Sequence, residues 1–199
     1  MRRLAIVALL LVAACSGAKG KAQTAISAAE QSVAAVPADV AKVVPDDLAA
    51  LDTALQSAKD QLASGDYEAA IGAANDVTAQ AAELTASLGS KKAALSVALD
   101  TLAVTMPRNL GAIRGKLDQL GKSRNLPRGI DAQQVQAAKD SYTAAMQEWP
   151  VIMADYRAGE LGKAASAAFA LKARVSQSLL ALGLVADERA WSNVTLPPK

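Results

Sequence analysis

The chain has 199 residues, of which 52% are hydrophobic and only 3% aromatic, and its formal net charge is +2. It contains one cysteine and no histidine, which excludes an internal disulfide, an imidazole base and the usual zinc and haem ligand sets. Abundant alanine and few aromatic residues favour close-packed helices over strands. We therefore expect an all-α fold.

The N-terminal residues have the pattern of an export signal. Arg2 and Arg3 precede an apolar stretch at residues 4–12, which is too short to span a bilayer as a stable helix. The stretch ends in small residues and the single cysteine, in the order Leu11, Val12, Ala13, Ala14, Cys15. This ending resembles the lipobox of bacterial lipoproteins.

The resemblance implies a specific chemistry for Cys15. In that family the cysteine sulfur receives diacylglycerol, the chain is cut before the cysteine, and the new amino group is usually acylated. We thus expect residues 1–14 to be a signal peptide and Cys15 to be the lipid-attachment site, with no metal and no cofactor besides this covalent lipid. The alternative is a buried N-terminal helix with an incidental free cysteine, which suits a globular core poorly because such a helix has no polar face.

The residue after the cysteine bears on localisation. In Gram-negative lipoproteins an aspartate at this position tends to retain the protein in the inner membrane, whereas this chain has Ser16. The resemblance therefore implies the outer membrane, on its periplasmic face. Removal of Arg2 and Arg3 leaves 19 basic and 19 acidic residues, so the mature protein is near neutral and we expect no nucleic-acid partner.

Residues 15–23 are small and polar and predict a lipidated tether. A single helical bundle domain of about six or seven helices is predicted over residues 24–185, followed by an irregular tail at residues 186–199. The first helix is predicted at residues 24–36, before Pro37. Pro45 is predicted to start another helix, because proline is tolerated in a first helical turn.

An antiparallel helical hairpin is predicted around Gly65. Apolar residues recur at helical spacing before this glycine, and a second apolar stripe follows it, ending at Gly89. The first stripe consists of Leu48, Leu51, Leu55, Ala58 and Leu62.

The same pattern recurs later in the chain, with Gly65 matching Gly159 and Gly89 matching Gly183. The fold is therefore predicted to contain two related hairpins. Alternatively, any two alanine-rich hairpins align in this way once their turn glycines are matched.

Between the hairpins, one helix is predicted at residues 91–105 and another from Asn109, with Pro107 separating them. Residues 108–128 are rich in cations, which either contact an anionic membrane surface or form a solvated connector that complements the acidic first half of the chain. The cations are Arg108, Arg114, Lys116, Lys122, Arg124 and Arg128. Asp131 and Gln134 have the spacing of a capping pair that opens the next helix.

Tyr142, Trp149 and Tyr156 lie seven residues apart on one predicted helix stripe, with Phe169 on the helix that follows. These four residues are candidates to line an apolar ligand pocket, although an aromatic stripe at helical spacing is usually core. Trp191, in the tail, is predicted to pack back onto the bundle.

The sequence contains neither a Gly-x-Ser-x-Gly motif nor a phosphate-binding glycine loop, and its carboxylates form no distinctive pair. We therefore expect no enzymatic activity. The sequence favours a membrane-anchored structural or adaptor component of the cell envelope, acting with an envelope protein of unspecified identity. The alternative is a binding module that holds an apolar ligand or a peptide between its hairpins. The oligomeric state is left open.

Overall fold

A computed structural model describes the backbone of residues 2–186 and of Trp191, and the side chains of residues 17–186 and of Trp191. The predicted all-α class is confirmed, and the described residues form six helices, within the expected number. These are α1 Arg2–Ala34, α2 Val40–Val43, α3 Pro45–Ser64, α4 Tyr67–Lys122, α5 Ala132–Arg157 and α6 Leu161–Ala181. The chain divides into two compact units, Met1–Leu88 and Gly89–Lys199.

The first unit is built from α1, α2, α3 and residues 67–88 of α4. Among the side chains that the structure describes, its main core cluster contains only aliphatic residues and alanines, as the sequence pattern requires. The core residues are Ile26, Ala29, Val40, Leu51, Leu55, Ala58, Ala74, Val77, Ala81 and Leu84. At its surface, Lys59 Nζ lies 2.7 Å from Glu30 Oε1 and joins α3 to α1. Both side chains are well exposed, so this ion pair contributes at most about 1 kcal/mol.

Helix α1 begins at Arg2, so its backbone includes residues 15–23, which the sequence assigned to a tether. The predicted start at Thr24 is therefore wrong. Residues 2–34 contain no proline. The favourable helix propensity of the many alanines outweighs the unfavourable propensity of the two glycines in this stretch. The helix ends at Ala34, before Pro37, because a residue that precedes proline is driven out of the helical region.

The turn at Gly65 confirms the first hairpin. Gly65 has a φ of 86°, in the left-handed region that glycine adopts without steric cost. Its N–H donates to the carbonyl of Leu62 at 3.2 Å, and the N–H of Asp66 donates to the carbonyl of Gln61 at 3.0 Å. These two bonds form a Schellman motif, which ends α3. The carboxylate of Asp66 then accepts from Ala69 N at 3.2 Å and caps α4.

Helix α4 continues to Lys122, so the predicted helix end at Gly89 and the predicted break at Pro107 are both wrong. An interior glycine costs about 1 kcal/mol and an interior proline about 3 kcal/mol. Both residues are exposed, whereas the opposite side of α4 is deeply buried. Its Leu99, Leu102 and Ile113 are 0% exposed, and each contributes about 1.5–3 kcal/mol on burial. Burial therefore outweighs both local penalties.

The second unit contains residues 89–122 of α4 together with α5 and α6. Asp131 Oδ1 accepts from Gln134 N at 2.7 Å, and Gln134 Oε1 accepts from Asp131 N at 2.8 Å. This capping box confirms the predicted start of α5. The turn at Gly159, with a φ of 81°, repeats the bonding of Gly65 and joins α5 to α6.

The two hairpins agree closely along their second helices. At five positions separated by 94 residues, both members of the pair are buried. The pairs are Ala70 and Ala164, Ala74 and Ala168, Val77 and Leu171, Ala81 and Val175, and Leu84 and Ser178. The final glycines differ, because Gly183 lies in a left-handed turn after α6 while Gly89 lies inside α4. The correspondence therefore covers the turns and the buried stripes, but not the ends of the hairpins.

Candidate functional site

The sequence predicted lipid attachment at Cys15. The backbone of α1 runs through this residue, but its side chain lies outside those that the structure describes, so the attachment stays a prediction. Within the described part of the chain, none of the helices combines the length and apolar character that crossing a membrane requires.

The predicted aromatic stripe lies on α5. Tyr142, Trp149 and Tyr156 are all half-buried. The hydroxyl of Tyr156 donates to Oδ1 of Asp100 on α4, at 2.7 Å. This hydrogen bond to a carboxylate raises the pKa of Tyr156, and partial burial adds to the rise. One end of the stripe is therefore fastened to the neighbouring helix by a polar contact.

Phe169, the fourth predicted pocket residue, lies on α6 and is also half-buried. The ammonium of Lys172 lies 5.9 Å from the centre of its ring and 5.7 Å from the ring of Trp191, within reach of cation–π attraction to both. Burial lowers the pKa of Lys172. Tyr156 and Phe169 thus have different polar partners, and a shared ligand pocket stays a prediction.

Trp191 packs against α6, as the sequence predicted. It is only 4% exposed, and its Nε1 donates to the hydroxyl of Ser176 at 2.9 Å. Lys172 and Ser176 were not predicted as its partners. The sequence feature that could have indicated these partners is the spacing of Phe169, Lys172 and Ser176, which places all three on one side of α6.

Ion pairs join α5 and α6. Arg174 Nη1 donates to Glu148 Oε1 at 2.9 Å, and Nη2 pairs with Oε2, so the contact is bidentate. These bonds lower the pKa of Glu148 and raise the pKa of Arg174. Nearer the turn, Lys163 Nζ lies 3.0 Å from Asp155 Oδ1. Sequence spacing alone could not identify these pairs, because their partners lie on different helices.

The six predicted surface cations occupy two different structural settings. Arg108, Arg114, Lys116 and Lys122 belong to α4, whereas Arg124 and Arg128 lie in the connection to α5. All are exposed except Lys116, which is half-buried. Successive helical residues are rotated by about 100°, so the first three cations point to different sides of α4. The structure therefore does not arrange all six on one surface.

Asn109, which was predicted only as the start of a helix, is a polar residue inside the second unit. It is 3% exposed, and its Nδ2 has no hydrogen-bond acceptor among the described residues. Nearby Thr105 is also buried, but its hydroxyl donates to the carbonyl of Thr101 at 2.8 Å. A buried donor without an acceptor costs about 1–3 kcal/mol. The unpaired amide is therefore a local weakness in the core.

Several apolar side chains on the second unit face outward. On α4, Val97 is 66% exposed and Val104 is 53% exposed, and two helical turns separate them on the same side. Val151 of α5 and Leu180 of α6 are also exposed.

The described residues contain no group of three or more acidic or cysteine side chains suited to a metal ion. Comparisons with family models, with curated proteins and with solved structures found no match.

Proposed function

We propose that this chain is a lipid-anchored structural or adaptor protein of the bacterial outer membrane, facing the periplasm. The observation that carries the proposal is the run of residues 11–15, which ends in Cys15 directly behind a basic start and an apolar stretch. Acylation at both the sulfur and the new amino group gives several acyl chains, which hold a protein stably where one chain binds only reversibly.

The outward face of α4 supports the adaptor role. Val97 and Val104 present branched apolar side chains to solvent, and their neighbours Ala93 and Ala94 are also exposed. Apolar residues in the centre of a surface patch are typical of protein interfaces. A partner helix packed on this side of α4 removes both valines from water.

The anchor gives the adaptor its mechanism. A protein confined to a membrane surface meets partners on that surface at a raised effective concentration, so that modest contacts suffice for stable association. The bound partner is then held near the membrane.

Fractionation of the cell envelope tests the anchor. We expect Cys15→Ala to release the protein from membranes, and mass spectrometry of the wild-type protein to find acyl chains on Cys15. Ser16→Asp should move the protein to the inner membrane, whereas the matched control Ser16→Ala should leave it in the outer membrane. Unchanged membrane fractionation of Cys15→Ala contradicts the proposal.

Crosslinking in intact cells tests the adaptor role. A photo-crosslinking residue at Val97 or Val104 should capture one defined envelope protein, while the same residue at the exposed Ala79 of the first unit should not capture it. Val97→Asp combined with Val104→Asp should abolish capture from a neighbouring position without loss of helical circular dichroism. Identical products at all positions exclude this face as the interface.

A further inference from the structure

We infer that residues 122–130, the last residue of α4 and the connection that leads to α5, are a second membrane contact that binds anionic phospholipid headgroups and inserts Leu126 into the bilayer interface. The inference rests on the proposed membrane location of the protein. It adds a contact that is independent of the lipid on Cys15, and it selects three of the six surface cations as the ones that bind the membrane.

The charge of this segment is entirely positive. Residues 119–130 include Lys122, Arg124 and Arg128 and contain no acidic residue. Residues 121–129 are all exposed. A cation held near an anionic bilayer strengthens binding by about fivefold, equivalent to about 1 kcal/mol. Three such cations within seven residues therefore supply a substantial part of a membrane affinity.

An apolar side chain lies among these cations. Leu126 is 38% exposed, between Arg124 and Arg128 and directly before Pro127. An apolar residue flanked by cations suits the boundary between headgroups and acyl chains, where the leucine enters the apolar layer and the guanidinium groups stay with the phosphates. We assign a lipid surface to this segment because an anionic bilayer offers phosphates to the cations and an apolar layer to the leucine at the same boundary.

Hydrogen bonds hold both ends of the segment. Ser123 N donates to the carbonyl of Leu120 at 3.1 Å, and Ser123 Oγ donates to that of Gln119 at 3.0 Å. At the other end Ile130 N donates to the carbonyl of Pro127 at 3.2 Å, around Gly129 with its φ of 86°. This turn needs glycine at its third position and places Arg128 at its corner. A fixed segment loses less conformational entropy on binding.

Asp131, the next acidic residue after the segment, caps helix α5. Its carboxylate accepts from Gln134 N at the start of α5, where the positive end of the helix dipole compensates its charge. Towards the N-terminus, Asp118 lies one helical turn after Arg114 on α4, which places these two residues side by side. Neither carboxylate belongs to the exposed segment, so the segment keeps its positive potential.

Vesicle binding tests the inference on residues 15–199 carrying Cys15→Ser, which cannot be lipidated. The vesicles contain phosphatidylcholine alone or with phosphatidylglycerol. Replacing Lys122, Arg124 and Arg128 by serine should weaken binding to the anionic vesicles by about a hundredfold, at about fivefold for each cation. The control replaces Lys21, Lys139 and Arg157, which are also exposed, by serine and should change binding far less.

Insertion of Leu126 has a separate readout. Because Cys15→Ser removes the only cysteine, Leu126→Cys provides a unique site for an environment-sensitive dye. We expect its emission to rise with anionic vesicles, and the emission of the same dye on Ala79→Cys, an exposed position of the first unit, to stay unchanged. Circular dichroism checks that each variant is folded.

Three results overturn the inference: equal losses in the two triple variants, binding to anionic vesicles that is no tighter than to phosphatidylcholine, or unchanged emission of the dye at position 126. An adaptor that uses its cations only for an acidic protein gives the second result. Because the proteins used in the vesicle experiments carry no lipid, their vesicle binding does not depend on whether Cys15 is lipidated in cells. Either proposal can therefore fail while the other stands.

Discussion

The indole nitrogen of Trp191 donates a hydrogen bond to the hydroxyl oxygen of Ser176, with 2.9 Å between the two atoms. Ser176 also donates to the carbonyl of Lys172 at 2.9 Å, so one hydroxyl joins the backbone of α6 to a side chain beyond its end. The ammonium of Lys172 also lies over the ring of Trp191 and reinforces the attachment. Residues of a single helix thus hold Trp191.

Ser176→Ala should destabilise the second unit by about 1–2 kcal/mol, because it leaves the buried indole N–H without an acceptor. Urea unfolding followed by tryptophan fluorescence measures this loss. The same substitution at Ser166, exposed on the same helix, should change stability by no more than about 0.5 kcal/mol. Equal effects of the two substitutions would show that Ser176 acts through helix propensity and not through Trp191.

The contact between Tyr156 and Asp100 predicts a dependence on alkaline pH. The hydrogen bond raises the pKa of Tyr156 in the folded state, above the value of about 10 that tyrosine has in an unfolded chain. Its contribution to stability is complete below the unfolded pKa and is lost as the pH rises through the folded one. In a titration of phenolate absorbance, Tyr156→Phe identifies the component that belongs to Tyr156, and Asp100→Asn should lower the pKa of that component. An unchanged pKa of Tyr156 in Asp100→Asn contradicts the bond.

The ion pair between Glu148 and Arg174 predicts a dependence on acidic pH. The hydrogen bonds from Arg174 lower the pKa of Glu148 in the folded state. The resulting stabilisation is therefore complete above the unfolded pKa and is lost as the pH falls through the folded one. Both side chains are partly exposed, so Glu148→Gln should cost no more than about 1 kcal/mol at neutral pH. At a pH below the folded pKa, the urea midpoints of the variant and the parent should converge; a constant difference excludes the ionic contribution.

Two glycines of the second unit predict opposite responses to alanine. Gly159 has a φ of 81°, so Gly159→Ala should cost about 1–2 kcal/mol. Gly111 lies inside α4, where an added Cβ meets nothing within 4 Å, so Gly111→Ala should gain about 0.5–1 kcal/mol. Both tryptophans belong to the second unit, and their fluorescence during urea unfolding reports both changes. Effects of the same sign would be inconsistent with the described backbone.

The unpaired amide of Asn109 predicts a stabilising substitution. Asn109→Leu removes a buried donor that has no acceptor and adds apolar burial at nearly the same size, so it should gain about 1–2 kcal/mol. Thr105→Val is the control, because that hydroxyl has an acceptor, and it should stay within about 1 kcal/mol of the parent. A loss of stability in Asn109→Leu would mean that the amide has an essential hydrogen-bond partner.

Features that depend on neighbouring residues were predictable from the sequence. The turns at Gly65 and Gly159 follow from a left-handed conformation that glycine tolerates best, and the capping box at Asp131 follows from its spacing to Gln134. The contacts of the candidate site were less predictable. Nothing near Tyr156 in the sequence indicates Asp100, since a hydrogen bond between two helices depends on how they pack and rotate.

The sequence by itself determined the all-α class, the turn glycines, the cap of α5 and the lipobox-like run at Cys15, because each depends on composition or on a few adjacent residues. Only the tertiary structure decided that α4 continues through Gly89 and Pro107, and that Trp191 joins Ser176 and Lys172. The physical reason is that local helix-breaking tendencies cost a few kcal/mol at most. Burial of a whole helix face, as at Leu99, Leu102 and Ile113, exceeds that cost but depends on helices distant in sequence.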